Sequence, residues 1–193
     1  MGTAGFLVVM AFHPVRGNFS IFRNIAVHSL VLAILPIMFI GAIGLYRRLA
    51  APDQLGLSGF VLYAFATVAA MNAGVASGFL GSYLVEKIDA AESESVTNLW
   101  RALFDYNFQV NQAFAMLFMV ASSAAILLWS IAILRGRKLG QGLGVYGCVV
   151  AAFCIGGILM GYGMTTIHGF GGLVFLSQGV WFFTSGVALS RAQ

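Results

Sequence analysis

Charge is scarce in this sequence. Only 8% of its 193 residues are Asp, Glu, Lys or Arg, while 60% are hydrophobic. A soluble domain carries about 25% charged residues, because charge covers a surface that faces water. So little charge excludes an ordinary soluble fold and requires lipid or another apolar partner around most of the chain. The length suits a single domain, residues 1–193.

Where charge is missing also excludes chemistry. No carboxylate falls inside a long apolar stretch, which removes a paired acid and base at membrane depth. No lysine lies there either, which excludes a retinal Schiff base. The sequence lacks GxSxG, HExxH and a phosphate-binding glycine loop followed by lysine. Ion-coupled transport usually needs an ionisable group at mid-membrane, and only neutral groups stand there. No internal repeat of the transporter kind is evident. The net charge is +4, yet the basic residues form neither a run nor a stripe with interleaved aromatics, so no nucleic-acid partner is expected. The two cysteines, Cys148 and Cys154, cannot form a CxxC pair and would face different directions on a helix.

What is present is a series of uncharged stretches: Asn24–Tyr46, Gln54–Val85, Tyr106–Leu134 and Leu139–Ser190. The last is long enough for two crossings joined by a turn at Gly161-Tyr-Gly-Met-Thr-Thr166. The stretches are apolar on all sides rather than alternating, which in a bilayer means helix and not barrel. The expected fold class is therefore all-α, an integral membrane bundle with five full transmembrane helices. The spans are expected at about 25–47, 57–83, 104–134, 140–161 and 166–189, with a short hydrophobic segment at 2–12. That segment has no basic n-region or cleavage site, and His13-Pro14 closes it. It reads as a partial span or the end of a longer first helix.

Pro36 lies within the first full span, where a kink is tolerated. The sequence also holds 24 glycines. Gly74-Val-Ala-Ser-Gly78, Gly157-Ile-Leu-Met-Gly161 and Gly140-Gln-Gly-Leu-Gly144 place small residues at i and i+4, which lets helices approach closely within the bundle.

Lys and Arg set an expected orientation. Arg47, Arg48, Arg135, Arg137, Lys138 and Arg191 fall on one face. The other face mixes Arg16, Arg23, Lys87 and Arg101 with Glu86, Asp89, Glu92, Glu94 and Asp105. The positive-inside rule puts the first face and the C-terminus in the cytoplasm and residues 86–100 outside. Ser93 or Ser95 is positioned to cap a helix leading into the span that follows.

Polar groups at membrane depth mark candidate sites, because they are costly unless partnered. His13, His28, Asn107, Asn111, Thr165, Thr166 and His168 gather in the outer half, and Asn72 lies nearer the middle. Each has a plain structural reading as a hydrogen-bonding, capping or headgroup residue. The sharper reading is a cofactor site on His28 and His168, which begin different spans at similar depth. Such an axial pair suits haem or a chlorin pigment. Met160, Met164 and His168 repeat at four-residue spacing, a soft donor set suited to copper, with His13 as a further metal ligand.

His13-Pro14, Ala26-Val-His28 opening a span that ends Gly44-Leu-Tyr-Arg-Arg48, and Gly56-Leu-Ser-Gly-Phe60 opening the next form a set. In these motifs the chain resembles small, uncharacterised multi-pass membrane proteins of bacteria. The likeness covers roughly the first third of the chain. It implies about six helices, and no activity comes with it.

The expected function is a non-enzymatic membrane subunit or scaffold, packed with other subunits in the bilayer of a bacterial inner membrane. The 17 Phe would supply broad apolar surfaces for such packing. The rival is an outward-facing membrane protein that binds a cofactor or small ligand. A lipid-modifying membrane enzyme is the third reading.

Overall fold

Inside a bilayer no water is available to the backbone, so each uncharged stretch must satisfy its own N–H and C=O groups by coiling into a helix. The computed structural model describes residues 2–12, 20–49, 54–136, 139–162 and 169–191. Among these residues the structure is helical, with no strand. A short helix, α1 (Gly2–Ala11), is followed by five helices long and apolar enough to cross a membrane. These are α2 (Ile21–Leu49), α3 (Leu55–Asp89), α4 (Glu94–Gly136), α5 (Gln141–Leu159) and α6 (Phe170–Arg191). The protein is thus a multi-pass helical membrane protein, as its uncharged stretches imply.

The helices differ in length for a physical reason. At about 1.5 Å per residue, α5 with 19 residues just matches a hydrocarbon core of about 30 Å. With 35 and 43 residues, α3 and α4 overshoot it. Both overshoot at the same end, where Glu86, Asp89, Glu94 and Arg101 lie. They pair there as a hairpin, with Tyr83 meeting Trp100 edge-on at 6.4 Å. Ser93 Oγ accepts from the Val96 N–H at 3.4 Å and so caps the start of α4. Arg47, Arg48, Arg135 and Arg191 end their helices at the opposite face.

The centre of the bundle is α4. Its apolar window is 61% buried, against 28–39% for the other four spans. It packs most extensively on α3 and α5, while α2 and α6 close the sides. The helix α1 runs antiparallel to α2 along its middle, with Gly2 against Ile37 and Met38 and Gly5 against Ile34.

Helix α5 ends in a Schellman motif. The Tyr162 N–H reaches Gly157 O at 3.0 Å and the Gly161 N–H reaches Ile158 O at 2.9 Å. This closure needs a left-handed residue, and Gly161 supplies it with φ 86°.

At the basic end the core is aromatic. Trp129 of α4 and Trp181 of α6 stack at 6.1 Å, within 1° of parallel, beside Tyr63 and Phe182. Each indole N–H finds a backbone carbonyl on a neighbouring helix: Trp129 donates to Gly56 O at 3.1 Å and Trp181 to Leu143 O at 3.2 Å. Buried indoles need such partners.

Candidate functional site

The polar side chains buried between helices fall at two levels. The first surrounds an irregularity in α3. Residues Ala76–Leu80 widen into a single π-helical turn, closed by the Gly81 N–H on Ala76 O. A π turn disturbs the regular carbonyl ladder and often marks a functional position. Here the neighbouring helices supply donors to its carbonyls. Asn24 Nδ2 of α2 donates to Ser77 O at 2.9 Å, to Gly78 O at 3.4 Å and to Ser82 Oγ at 2.9 Å. From the other side, Asn107 Nδ2 of α4 donates to Ala76 O at 2.9 Å. Asn24, Ser82 and Asn107 are all buried.

His28 lies one turn beyond Asn24 on the same face of α2. Its Nδ1 is 2.7 Å from Asn24 O. A carbonyl only accepts, so Nδ1 carries the proton. The ring base presses on the π turn: a Cβ on Gly78 would overlap His28 Cβ, with His28 Cγ at 2.7 Å. Glycine is therefore required where His28 crosses α3. Gly74, one turn earlier, packs against Leu32. This is the close approach expected of the Gly74–Gly78 pair.

The second level lies deeper. Gln178 of α6 accepts from Ser122 Oγ at 2.9 Å and donates to Ser123 Oγ at 2.8 Å. Ser122 also reaches Met119 O at 3.3 Å, and Cys154 Sγ of α5 points at the same carbonyl at 3.7 Å. All four side chains are buried. This arrangement ties α4, α5 and α6 together with neutral hydrogen bonds.

Of the residues singled out in the sequence, His28 and Asn107 both flank the π turn, from opposite sides. Asn111 is half-buried one turn below Asn107. Asn72 stands apart: it is exposed and bonds its own helix at Val68 O, 2.9 Å away. Met160 caps the end of α5 and is 79% exposed. His13, Met164, Thr165, Thr166 and His168 lie outside the described residues, and so does the pairing of His28 with His168. Among the described residues, no three His, Cys, Asp or Glu side chains come together as a metal site.

Asn24, Ser82, Ser122, Ser123 and Gln178 were not singled out by sequence. A signal existed for one of them, since Asn24 and His28 share a face at i and i+4. The others bond backbone carbonyls or residues on distant segments, which leave no local pattern.

No protein-family model matches the chain, and no curated protein or solved structure matches it either.

Proposed function

We propose that this chain is a non-enzymatic membrane subunit or scaffold, which packs with other membrane proteins rather than transforming a substrate. One observation carries this reading. The buried polar side chains at both levels are used between helices: Asn24 and Asn107 on the π turn, Gln178 on Ser122 and Ser123. Polar groups that face each other across helices act as membrane glue, at about 0.6–2 kcal/mol each. The exposed faces, by contrast, are broad and apolar. Phe22, Phe65, Tyr106 and Leu159 are among the most exposed side chains. They offer lipid or partner helices large apolar contact area. The membrane proposed is a bacterial inner membrane, with the Arg135 end cytoplasmic and residues 86–100 outside.

A second reading is favoured by His28. Donation of Nδ1–H to a carbonyl is the arrangement that orients many metal-ligating histidines. On this reading the chain binds haem, a chlorin pigment or copper near the π turn.

Extraction in mild detergent from its native membrane tests the two together. Stable foreign subunits in the purified material support the scaffold. A lone chain carrying a Soret band or stoichiometric copper defeats it and supports the second reading. Turnover of a lipid by the pure chain would count against both.

A further inference from the structure

We propose that α3 pairs with α3 of a second copy of this chain inside the bilayer, through an exposed stripe centred on Asn72. This deepens the reading of the chain as an assembly subunit and rests on it.

The packing of α2 on α3 fixes the depth of Asn72. The two helices run antiparallel, with Gly56 against Leu49, Gly74 against Leu32 and Gly78 against His28. Asn72 is therefore level with Ile34 and Leu35. The charge-free stretch of α2 is Asn24–Tyr46, about one bilayer long, and Leu35 is its middle residue. At about 1.5 Å per residue, Asn72 lies within about 3 Å of the midplane. Neither water nor a lipid headgroup reaches it there.

Yet Asn72 is exposed. Its Nδ2 donates one hydrogen to Val68 O at 2.9 Å. An asparagine amide has two N–H donors and one carbonyl acceptor. The second N–H and Oδ1 have no partner among the described residues. Hydrocarbon offers neither a donor nor an acceptor, so a lipid cover would leave both groups unpaired at high cost. Polar side chains at this depth face other protein.

The unpaired groups select the partner. They need one acceptor and one donor at the midplane. A second Asn72, holding its own Val68 carbonyl, offers that set. Copies inserted the same way have parallel α3 helices at equal depth, so a twofold axis normal to the membrane brings the two amides together. Each then donates its remaining N–H to Oδ1 of the other. The rest of the stripe permits this approach. Val61, Phe65, Val68 and Val75 are 45–65% exposed. With Asn72 they are spaced alternately four and three apart, which keeps them on one side of the helix. These apolar four suit lipid as well as a helix, and the amide distinguishes the two covers. Tyr63, Ala66 and Gly74 turn into the bundle instead, so pairing leaves the packing of each copy intact.

Disulfide trapping in native membranes with a membrane-permeant oxidant tests this, with Cys148→Ala and Cys154→Ala as the background. Val68→Cys and Val75→Cys lie on the stripe. Ile40→Cys and Leu30→Cys are similarly exposed at matching depths on α2. Oxidation should give a product of about twice 20.5 kDa at the first two positions and not at the second two. Asn72→Leu should weaken association about 3- to 30-fold, read as loss of that product, while the monomer in detergent keeps its melting transition. Equal trapping at all four positions, no trapping at Val68 and Val75, an unchanged yield in Asn72→Leu, or a product with a different protein overturns the pairing. A lowered melting transition in Asn72→Leu would place the amide in the packing of the single bundle and overturn it too. Foreign subunits recovered without the disulfide product would remove the pair and leave the assembly role standing. The disulfide product recovered without any foreign subunit would leave the pairing and remove the larger assembly.

Discussion

At the scale of single residues, the contacts sort the asparagines. Asn24 serves two carbonyls of the π turn and one hydroxyl, whereas Asn72 bonds only its own helix on an exposed face. Asn24→Ala should therefore cost about 1–2 kcal/mol of bundle stability, because it strands buried acceptors. Asn72→Ala should stay within about 0.5 kcal/mol. Thermal unfolding of the two variants in one detergent checks the difference. The glycines divide in the same way. Gly78→Ala drives a methyl into His28 and should cost about 1–3 kcal/mol as overpacking. Gly156 has open space around its Cβ position, so Gly156→Ala should be neutral or should stabilise α5 by up to about 1 kcal/mol. Equal losses at Gly78 and Gly156 would contradict the close approach of α2 to α3. Ser130 offers a further contrast. Its Oγ is buried without a hydrogen bond among the described residues. Ser130→Ala should accordingly be neutral or stabilising, since it removes a buried hydroxyl without breaking a bond.

At the scale of helices, two kinds of seam hold α4 in the centre. One is aromatic and dry, built on Trp129 and Trp181; the other is the Ser122–Gln178–Ser123 bridge. The first should carry more stability. Trp129→Ala removes a fully buried indole and should cost about 3–5 kcal/mol, against about 0.6–2 kcal/mol for Gln178→Leu. A larger loss in the Gln178 variant would mean that the polar bridge dominates the packing. The five crossings were legible because freedom from charge over a bilayer's thickness is a property of the sequence itself. The overshoot of α3 was less so. Ser93 or Ser95 signalled the early start of α4. Glu86 and Asp89, however, fell beyond the expected end of the preceding span near residue 83, yet α3 continues to Asp89. The π turn was not legible at all. Ala76-Ser-Gly-Phe-Leu80 is unremarkable in composition, and the carbonyls that define it belong to the backbone. His28 and Asn107 were found as polar outliers in apolar surroundings. Their common neighbour was not, because only the fold brings α2 and α4 to the same turn of α3.

At the scale of the whole molecule, the ends of the bundle differ in kind. One is closed by arginines at helix termini. The other rises into the α3–α4 hairpin, whose tip is acidic. Helices α4, α5 and α6 are each long and apolar enough to cross the membrane, which puts Ser93 and the C-terminus on opposite sides. Three crossings separate them, and the proposed orientation, which follows the positive-inside rule, has the C-terminus in the cytoplasm. The most direct measurement is labelling of Ser93→Cys and Gln193→Cys variants by a membrane-impermeant maleimide in intact cells, with Cys148 and Cys154 replaced by Ala. Ser93→Cys should label from outside at once and Gln193→Cys only after permeabilisation. Labelling of both from the same side would contradict the three crossings. Labelling of Gln193→Cys alone in intact cells would keep the crossings and reverse the orientation.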